Sequence, residues 1–449
     1  MESFELVVVG TGSAGTTAAS KCRSAGWGVA IVDDRPFGGT CVLRGCDPKK
    51  VLVGVAELVD WSRRMCATGA VTQPLQIDWP ALARFKRTFT EPVPAQRQRM
   101  YDDAGIVSFH GRARFIDREH LNIGGRVVQA RRVVIASGAK PAPLGIPGEE
   151  HVVTSTEFLE LERLPANVLF IGGGYISMEF AHLCARAGTK ACVLDRGDRP
   201  LKGFDVDLVS RLAGLTREAG IRLELNAAVT ALEKRGRSFV VRAIQQGRDA
   251  EFVADLVVHG GGRVPDLDDL NLQAAGVAQT EKGVQVNEFF QSATNEAVYA
   301  AGDAADGGGL PLTPVAGTEG EIVAENLLEG NRRTADFSGL VSIVYTIPPL
   351  ATVGLTETQA SERKIQYRCF GGDSSDWYTY RRINAPSEYK VLVDESTACV
   401  IGAHLLGPHA EELANIFALA IRAKVPAAVL KETLFGYPTA ASDIEYMLS

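Results

Sequence analysis

The sequence has few features of a membrane protein or a nucleic-acid-binding protein. No apolar stretch in its 449 residues approaches the ~18 residues of a transmembrane helix. It has no basic run and a net charge of -7, so neither a membrane nor a nucleic-acid partner is expected. The N-terminus, MESFELVVVG, begins with acids and does not resemble a secretion signal. Eight scattered cysteines form no disulfide framework, which favours a reducing, cytoplasmic location.

The N-terminal residues follow a pattern typical of a dinucleotide-binding unit. The pattern comprises an apolar strand, the turn GTGSAG, a helix and a second strand, at residues 4–9, 10–15, 16–25 and 29–32. In such a unit Gly10 makes the tight turn, Gly12 lets the backbone approach a pyrophosphate, and Gly15 lets the helix pack on the strand. The helix N-terminus favours phosphate, and Asp33 is placed to accept hydrogen bonds from a ribose.

A pair of cysteines follows this motif in the segment GGTCVLRGCDPKK. Cys41 and Cys46 lie close together, and Arg44 stands between them. Beside a nucleotide-binding turn the pair suggests redox chemistry, although two nearby cysteines are also consistent with a buried structural pair. Arg44 is expected either to lower the pKa values of the cysteines or to attract an anionic substrate. The other cysteines lack metal-ligand spacing and are interpreted as small buried apolar residues: Cys22, Cys66, Cys184, Cys192, Cys369 and Cys399.

The dinucleotide pattern recurs later in the chain. Its strand, glycine turn, helix and second strand are predicted at residues 168–171, 172–174, 175–187 and 190–194. The second strand ends at Asp195. Two such motifs suggest either two cofactors or one cofactor and a degenerate copy. The simplest chemistry that joins two dinucleotides to a cysteine pair runs from nicotinamide to flavin to disulfide.

Together these motifs resemble the flavin-dependent pyridine nucleotide-disulfide oxidoreductases, the group of glutathione reductase, dihydrolipoamide dehydrogenase and mercuric reductase. The resemblance covers essentially the whole chain. Besides the two glycine turns and the cysteine segment it rests on five motifs: ASG at Ala136, GGGRVP at Gly260, AAGD at Ala300, LTPVA at Leu312 and PPLATVGLTE at Pro348. It implies FAD in the first site, NAD(P)H in the second, and a homodimer closed by the C-terminal domain.

The resemblance also implies the fold and the domain limits. We expect an α/β protein with two Rossmann-like dinucleotide-binding domains and a C-terminal α+β dimerisation domain. The pattern of strands predicts a hairpin around Gly124 and Gly125, a connector near residue 146, and further strands at 256–262 and 297–303. The expected FAD domain, NAD(P) domain and interface domain occupy residues 1–145 with 265–335, 146–264, and 336–449.

The resemblance assigns roles to the residues around the cysteine pair. It implies that Cys46 lies against the flavin as the charge-transfer thiolate and that Cys41 is the interchange thiol that attacks the substrate. Lys49 resembles the lysine near flavin N5, with Glu179 as its expected partner. A thiolate is plausible here because a helix N-terminus and a nearby lysine lower the pKa of a cysteine.

The residues expected to bind the two cofactors come from the matching motifs. Asp303 is expected on the ribityl chain, and Tyr175 is expected to cover the flavin or to be plain core. Arg263 is expected either at the nucleotide cleft or in a salt bridge between domains. The full set is Gly10, Gly12, Ser13, Ala14, Gly15, Asp33, Gly39, Thr40, Ala113, Ser137, Gly138, Asp303, Leu312, Thr313, Ala316, Gly172, Gly174, Tyr175, Ile176, Asp195, Arg196, Lys202, Gly262 and Arg263.

The choice between NADPH and NADH depends on the end of the second dinucleotide strand. Asp195 stands where NAD enzymes place an acid on the ribose, and it would repel a 2′-phosphate. Arg196 and Lys202 fall where NADPH-using relatives place cations, and arginine offers a fork to phosphate. We favour NADP over NAD because two cations outweigh one acid that can turn to solvent.

The C-terminal segment departs from the family pattern. Disulfide reductases of the family carry a His-Pro-Thr-x-x-Glu segment there, but here Tyr437 stands for the histidine and Ser442 for the glutamate, with Asp443 next. A tyrosine with a pKa of ~10 is a poor base at neutral pH, and its role is either catalytic or packing at the dimer interface. No cysteine follows Cys399, so the C-terminal cysteine pair of mercuric reductase is absent.

These observations favour an FAD-dependent enzyme that passes hydride from NAD(P)H through FAD to a Cys41–Cys46 disulfide. The acceptor is expected to be a disulfide, a metal ion or another small molecule. Two alternatives stay open: a dehydrogenase or oxidase that reduces quinone or oxygen directly from the flavin, and a non-enzymatic redox-sensing dimer. His404 and His409 are interpreted as structural rather than as substitutes for the missing histidine.

Overall fold

The apolar N-terminal residues form the middle of a mixed sheet in a computed structural model of the chain, which describes Met1–Ser449. Arg126–Ile135 pairs along one side with Glu2–Val9. Its other side pairs in parallel with Val298–Ala300 and in antiparallel fashion with His120–Ile123. The remaining strands of this sheet are Val29–Asp33, Val107–His110 and Ala113–Phe115.

This sheet belongs to the first of two packing units of the chain. The unit comprises Met1–Lys49, Arg84–Pro143 and Gly262–Phe337. Two smaller sheets accompany it, formed by Ala139–Pro141 with Arg263–Pro265, and by Gln279–Thr280, Gly283–Gln285 and Ala305–Asp306. Its complete helices are Ser13–Ser24, Gly39–Arg44, Val93–Ala104 and Thr313–Glu329, with 3-10 turns at Asp268–Leu270 and Gly302–Ala304. The first of these helices packs closely on the last, so the glycine turn and the AAGD motif share one core.

The second unit comprises Lys50–Ala83, Leu144–Gly261 and Ser338–Ser449. Its parallel sheet has the strand order Arg222–Glu224, Lys190–Leu194, Asn167–Ile171 and Leu256–His259. A separate antiparallel sheet consists of Ala227–Arg235, Ser238–Gln245 and Arg248–Ala254. The C-terminal part contains a five-stranded antiparallel sheet in the order Val341–Val344, Leu350–Gly354, Val400–Leu406, Glu388–Asp394 and Tyr367–Asp373.

The helices of the second unit include the one that follows the second glycine turn. They are Ser155–Leu159, Tyr175–Arg186, Val206–Glu218, Glu357–Glu362, Tyr378–Arg381, Ala410–Arg422, Ala427–Glu432 and Ile444–Met447, with 3-10 turns at Glu149–His151 and Ala440–Asp443. Two further helices, Cys46–Ala67 and Trp79–Thr90, begin in one unit and end in the other. None of the helices has both the length and the apolar character needed to cross a membrane.

The predicted elements are confirmed with small shifts at their ends. The two-residue turn at Gly124 and Gly125 joins an antiparallel hairpin, as predicted. The helix predicted at 16–25 is Ser13–Ser24, and the strand predicted at 256–262 ends at His259. The strand predicted at 297–303 is limited to Val298–Ala300, and a 3-10 turn, Gly302–Ala304, follows it. The glycine-rich residues after His259 leave the sheet because glycine favours turns over strand pairing. The domain limits given above stay a prediction.

Candidate functional site

The first glycine turn presents bare backbone. Gly39 has a φ of 73°, and a Cβ there would lie 2.5 Å from the Cα of Gly12. Gly12 is the residue before the Ser13–Ser24 helix, so no side chain covers the N-terminus of that helix. A diphosphate approaching this point meets backbone N–H groups and the positive end of the helix dipole. This geometry fits the expected FAD.

Asp33 lies at the end of the second strand, as predicted, but it is already engaged. Its carboxylate accepts hydrogen bonds from the Thr11 N–H at 2.9 Å, from the Thr11 hydroxyl at 2.6 Å and from the Arg35 N–H at 3.0 Å. A carboxylate has about four acceptor positions, so capacity for a ribose hydroxyl remains. Thr11 and Arg35 therefore fix the orientation of the acid.

A buried hydroxyl near the end of the sheet has no partner in the chain. Ser137 Oγ is buried without a hydrogen bond, at the expected FAD motif ASG. Such a group costs free energy unless a ligand or water satisfies it. Burial raises the pKa of Asp303, and the positive charge of Arg263 acts against this rise. The guanidinium of Arg263 also donates to the carbonyl of Ala139, so both residues belong to one polar cluster of the first unit.

Glu319 is a further acid of this cluster, and the sequence analysis did not single it out. It is 3% exposed, and its carboxylate accepts a hydrogen bond of 2.6 Å from the Gly302 N–H. Burial raises the pKa of Glu319 to about 7. The helical spacing could have indicated its burial, because Glu319 follows Val315 by one turn on the buried face of the Thr313–Glu329 helix.

We expect Glu319→Gln to stabilise the protein at pH 8 and to have little effect at pH 5. The pKa of Glu319 rises from 4.5 to about 7 on folding. The unfolded chain is therefore ionised above pH ~4.5 while the native carboxyl keeps its proton, so stability is lost as pH rises between these values. The gain is at most about 3 kcal/mol. Urea unfolding at both pH values, with exposed Glu329→Gln as control, checks this; equal effects of the two variants would contradict it.

The two cysteines of the predicted redox pair lie next to one another on two helices. Cys41 is within the Gly39–Arg44 helix, and Cys46 begins the Cys46–Ala67 helix. The Cys46 Sγ lies 3.9 Å from the Thr313 Oγ1, which places the predicted LTPVA segment beside the pair. The Cys41 Sγ lies 3.7 Å from the Asp47 Oδ1. Asp47 was not singled out from the sequence.

The electrostatics of Cys41 differ from the expectation of a lowered pKa. A hydrogen bond to Cys46 and burial raise the pKa of the Cys41 thiol, and the charges of Cys46 and Asp47 raise it further, while a hydrogen bond to Thr313 lowers it. The expected lowering is therefore wrong for Cys41. The thiolate role expected for Cys46 stays a prediction.

Arg44 is half-buried, and the two roles expected for it stay predictions. Burial lowers the pKa of its guanidinium, followed by the positive charge of Arg35; the charges of Asp33 and Arg263 also act on it. Its charged neighbours therefore belong to the expected FAD site. Three mutually repelling guanidiniums gain a counter-charge when a diphosphate binds there.

The second glycine turn is built like the first. Gly172 has a φ of 95°, where any side chain would collide with the carbonyl of Gly260. Gly174 precedes the Tyr175–Arg186 helix. The hydroxyl of Ser177 on this helix is buried without a partner. These features fit a dinucleotide. Ile176 lies on the helix after this turn, and Gly262 is the last of the three glycines that begin at Gly260.

Asp195 is fixed rather than free to turn. Its carboxylate accepts hydrogen bonds from the Gly173 N–H and, at 2.6 Å, from the Gly197 N–H. The expectation that this acid turns to solvent is therefore wrong. Arg196 and Lys202 are both exposed, and the Lys202 side chain runs over Gly197. Two exposed cations thus lie close in sequence to an acid that backbone N–H groups hold in place.

Tyr175 and Glu179 project from the same helix. Tyr175 is 37% exposed, and its ring lies 5.5 Å from that of Phe204. Glu179 is buried and accepts a hydrogen bond of 2.8 Å from the Tyr345 N–H. The expected pairing of Glu179 with Lys49 and the expected movement of Tyr175 stay predictions.

The C-terminal segment holds no imidazole–carboxylate pair. Tyr437 is 75% exposed, and its hydroxyl has no hydrogen-bond partner within the chain. The Ser442 hydroxyl, at the position of the family's glutamate, donates to the Thr439 carbonyl at 2.6 Å. Asp443 is buried, and one of its carboxylate oxygens has no partner.

His409 is half-buried and precedes the Ala410–Arg422 helix, and the structural roles of His404 and His409 stay predictions. His404 is fully buried between the Thr352 hydroxyl and the Leu355 carbonyl. Cys369 is exposed, so its interpretation as a buried residue is wrong; it lies on Tyr367–Asp373, an edge strand of its sheet. Cys22 and Cys184 are buried as expected, whereas Cys66, Cys192 and Cys399 are half-buried.

Most predicted cofactor residues of the first half fall within the first unit. Ala113 is buried in its sheet, and Ala316 packs beside Gly302. The expected contacts with FAD stay predictions for the residues of this half: Gly10, Ser13, Ala14, Gly15, Thr40, Ala113, Gly138, Leu312, Thr313 and Ala316.

Comparison with known proteins agrees with this geometry. The sequence model of the Pyridine nucleotide-disulphide oxidoreductase family matches residues 4–320, and that of its dimerisation domain matches residues 340–448. A glutathione reductase from Nostoc sp. is 30% identical over 99% of both chains. A mercuric reductase from Staphylococcus aureus is 31% identical over 98% of this chain and 81% of its own.

Solved structures lead to the same family. The Cu(II) complex of the HOCl-induced flavoprotein disulfide reductase RclA from Escherichia coli superposes with a TM-score of 0.89, at 27% identity over 100% of this chain and 99% of its own. The architecture of two dinucleotide-binding domains and a dimerisation domain is thereby confirmed. The chain belongs to the pyridine nucleotide-disulphide oxidoreductase family and is an FAD-dependent enzyme that passes electrons from NAD(P)H to a disulfide or metal acceptor.

Proposed function

We propose that this enzyme uses NADPH to reduce a metal ion such as Cu(II) through Cys41 and Cys46, rather than glutathione disulfide. The observation that carries the proposal is the C-terminal segment, in which exposed Tyr437 and internally bonded Ser442 replace histidine and glutamate. Mercuric reductases and a Cu(II) complex of RclA among the relatives support a metal acceptor.

The missing imidazole matters more for one class of acceptor than for the other. Exchange with a disulfide releases a thiolate that a positioned acid must protonate, and such help contributes ~10²–10⁴-fold. Two Cu(II) ions take the two electrons of the dithiol and become Cu(I), the two thiol protons pass to solvent, and no thiolate leaves. A site without the histidine therefore turns over disulfides slowly, by as much as ~10²–10⁴-fold less than with the acid, and keeps metal reduction.

The residues of the chain have separate parts in this reaction. Bound FAD supplies the relay of electrons from the nicotinamide. Gly12 and Gly39 admit its diphosphate, and the Ser137 hydroxyl and Asp303 offer polar contacts. Cys46, at the N-terminus of its helix and beside Thr313, is proposed as the thiolate. Cys41 is proposed as the thiol that meets the acceptor.

Steady-state turnover of NADPH with Cu(II) and with glutathione disulfide tests the proposal. Cu(II) is supplied as a weak complex, and a Cu(I)-selective chelator reports the product. We expect turnover with Cu(II) that needs both cysteines and little turnover with glutathione disulfide. Efficient reduction of glutathione disulfide without any reduction of Cu(II) would overturn the proposal.

Tyr437→His is expected to increase turnover of glutathione disulfide about tenfold. Imidazole supplies an acid and base near neutral pH, although Ser442 does not orient it as a carboxylate would, so the gain falls below the full ~10²–10⁴-fold. The kcat for glutathione disulfide and for Cu(II) is measured in wild type, Tyr437→His and Tyr437→Phe. A rise in Tyr437→Phe as well would show that loss of the hydroxyl, not gain of imidazole, is responsible.

We propose NADPH as the preferred nucleotide because Arg196 and Lys202 are exposed and follow Asp195 closely in the chain. Arg196→Ala is expected to lower kcat/KM for NADPH about tenfold or more, since a charge-assisted fork to the 2′-phosphate is lost, and to leave NADH unchanged. Exposed Arg237→Ala serves as control. An equal loss for both nucleotides would mean that Arg196 supports the fold of the loop instead.

We also propose a cytoplasmic homodimer that associates through the segment matched to the dimerisation domain. Leu434, Tyr437 and Leu419 are 99%, 75% and 68% exposed in this segment. Apolar side chains at such exposure are typical of surfaces that a second copy covers. We expect sedimentation at low protein concentration to give a molecular mass of twice the chain mass of 48.1 kDa.

A further inference from the structure

A single negative charge stands beside the sulfur that we propose meets the acceptor. We infer that the Asp47 carboxylate makes Cys41 selective for positively charged acceptors over negatively charged ones. The inference rests on the proposed role of Cys41 and names the charge class of the substrate. Asp47 is a specificity-determining residue in this account, because it contacts the reacting sulfur without exchanging atoms or electrons.

The geometry places the charge at the reacting atom. The Asp47 Oδ1 lies 3.7 Å from the Cys41 Sγ, and Asp47 is exposed while Cys41 is half-buried. Any group that bonds to the Cys41 sulfur therefore comes within a few ångströms of the carboxylate. At that separation near a protein surface, a unit charge changes an interaction by an amount worth tenfold or more in rate.

The cations of the same segment do not offset this charge. The charge on Arg44 acts with those of Arg35, Asp33 and Arg263, which surround the expected FAD site. Lys50 forms an ion pair with Glu57 at 3.5 Å, and its ammonium lies 4.1 Å from the centre of the Tyr345 ring. Lys49 is also partnered. Asp47 is thus the charged side chain that contacts the Cys41 sulfur.

Two small disulfides of equal length isolate the effect of charge from that of chemistry. The Cys41 thiolate attacks one sulfur and releases the first thiolate, leaving a mixed disulfide. Cys46 then attacks the Cys41 sulfur, releases the second thiolate and restores the Cys41–Cys46 disulfide, which NADPH reduces again. Cystamine brings two ammonium groups to this exchange, whereas 3,3′-dithiodipropionate brings two carboxylates.

The test compares kcat/KM for these two disulfides in wild type, Asp47→Asn and the exposed control Asp103→Asn. We expect wild type to favour cystamine by about tenfold or more at low salt, and added salt to reduce this ratio. Asp47→Asn should lower the ratio about tenfold, and Asp103→Asn should leave it as in wild type. An unchanged ratio in Asp47→Asn overturns the inference.

A second readout needs no turnover. The NADPH-reduced protein is alkylated with neutral iodoacetamide or with anionic iodoacetate, and modification of Cys41 is followed by peptide mass. The ratio of the two rates at one pH is independent of how much thiolate is present. Asp47→Asn should raise the relative rate of iodoacetate several-fold, and no change overturns the inference. If wild type reduces no metal ion, the proposed function fails while this ratio still decides the role of Asp47.

Discussion

Cys41→Ser is expected to lower turnover with Cu(II) and with small disulfides by about 10³-fold or more. A serine hydroxyl is neither a nucleophile nor a reductant at neutral pH, so the electrons that reach Cys46 have no exit through the pair. The Cys41 Sγ contacts exposed Asp47, and we propose that an acceptor reaches the pair from there. NADPH-dependent reduction of Cu(II), followed by absorbance of the Cu(I) chelate, measures the loss.

Cys66→Ser provides a matched control, because Cys66 is half-buried on the Cys46–Ala67 helix that Cys46 begins. Its turnover should equal that of wild type. If Cys41→Ser retains wild-type turnover, the thiol pair is a bystander. The enzyme would then be a dehydrogenase or oxidase that passes electrons from the flavin directly to quinone or oxygen.

Asp60→Ala is expected to destabilise the protein by about 3–5 kcal/mol, the cost of leaving a buried charge unpaired. Arg186 is 4% exposed and donates to the Asp60 Oδ1 from two nitrogens, at 3.1 and 2.7 Å. Arg64 donates to the other oxygen of Asp60 at 2.6 Å. The only other acceptor shown for the Arg186 head, besides a histidine nitrogen, is the Ile347 carbonyl, which carries no full charge.

Chemical denaturation of wild type and Asp60→Ala measures this difference, with Glu233→Ala as control. Glu233 pairs with Arg235 and Arg242 on the surface, with both partners about half exposed, and such pairs contribute ~0–1 kcal/mol. Equal losses in the two variants would show that water or a rearrangement solvates Arg186. A larger loss of stability in Asp60→Ala than in Glu233→Ala would show that the Asp60–Arg186 ion pair holds together the helices that carry these two residues.

The sequence allowed the two dinucleotide units to be predicted because each depends on a local rule. Gly172 must adopt a positive φ against the Gly260 carbonyl, and only glycine does so without collision. The strands around Gly172 are short apolar runs, and such a run of apolar residues is nearly sufficient to predict a buried parallel strand. The same rules located Asp33 and Asp195 at the ends of strands.

What the acids do there was not predictable, because it depends on contacts between distant residues. Asp195 was expected to turn freely, yet the N–H groups of Gly173 and Gly197 hold it. The raised pKa of Glu319 requires knowledge of its burial. The exposure of Cys369 could not be predicted from the sequence either, because only the order of the strands shows that its strand lies at the edge of the sheet.

An anaerobic titration with NADPH, followed in the visible spectrum, tests the central claim that Cys41 and Cys46 form a redox-active pair. The account predicts that the protein takes up twice as many electrons as FAD alone accepts, and that a long-wavelength band appears at the midpoint and is lost in Cys46→Ser. Uptake of only the electrons that FAD accepts, with no such band, would contradict the claim.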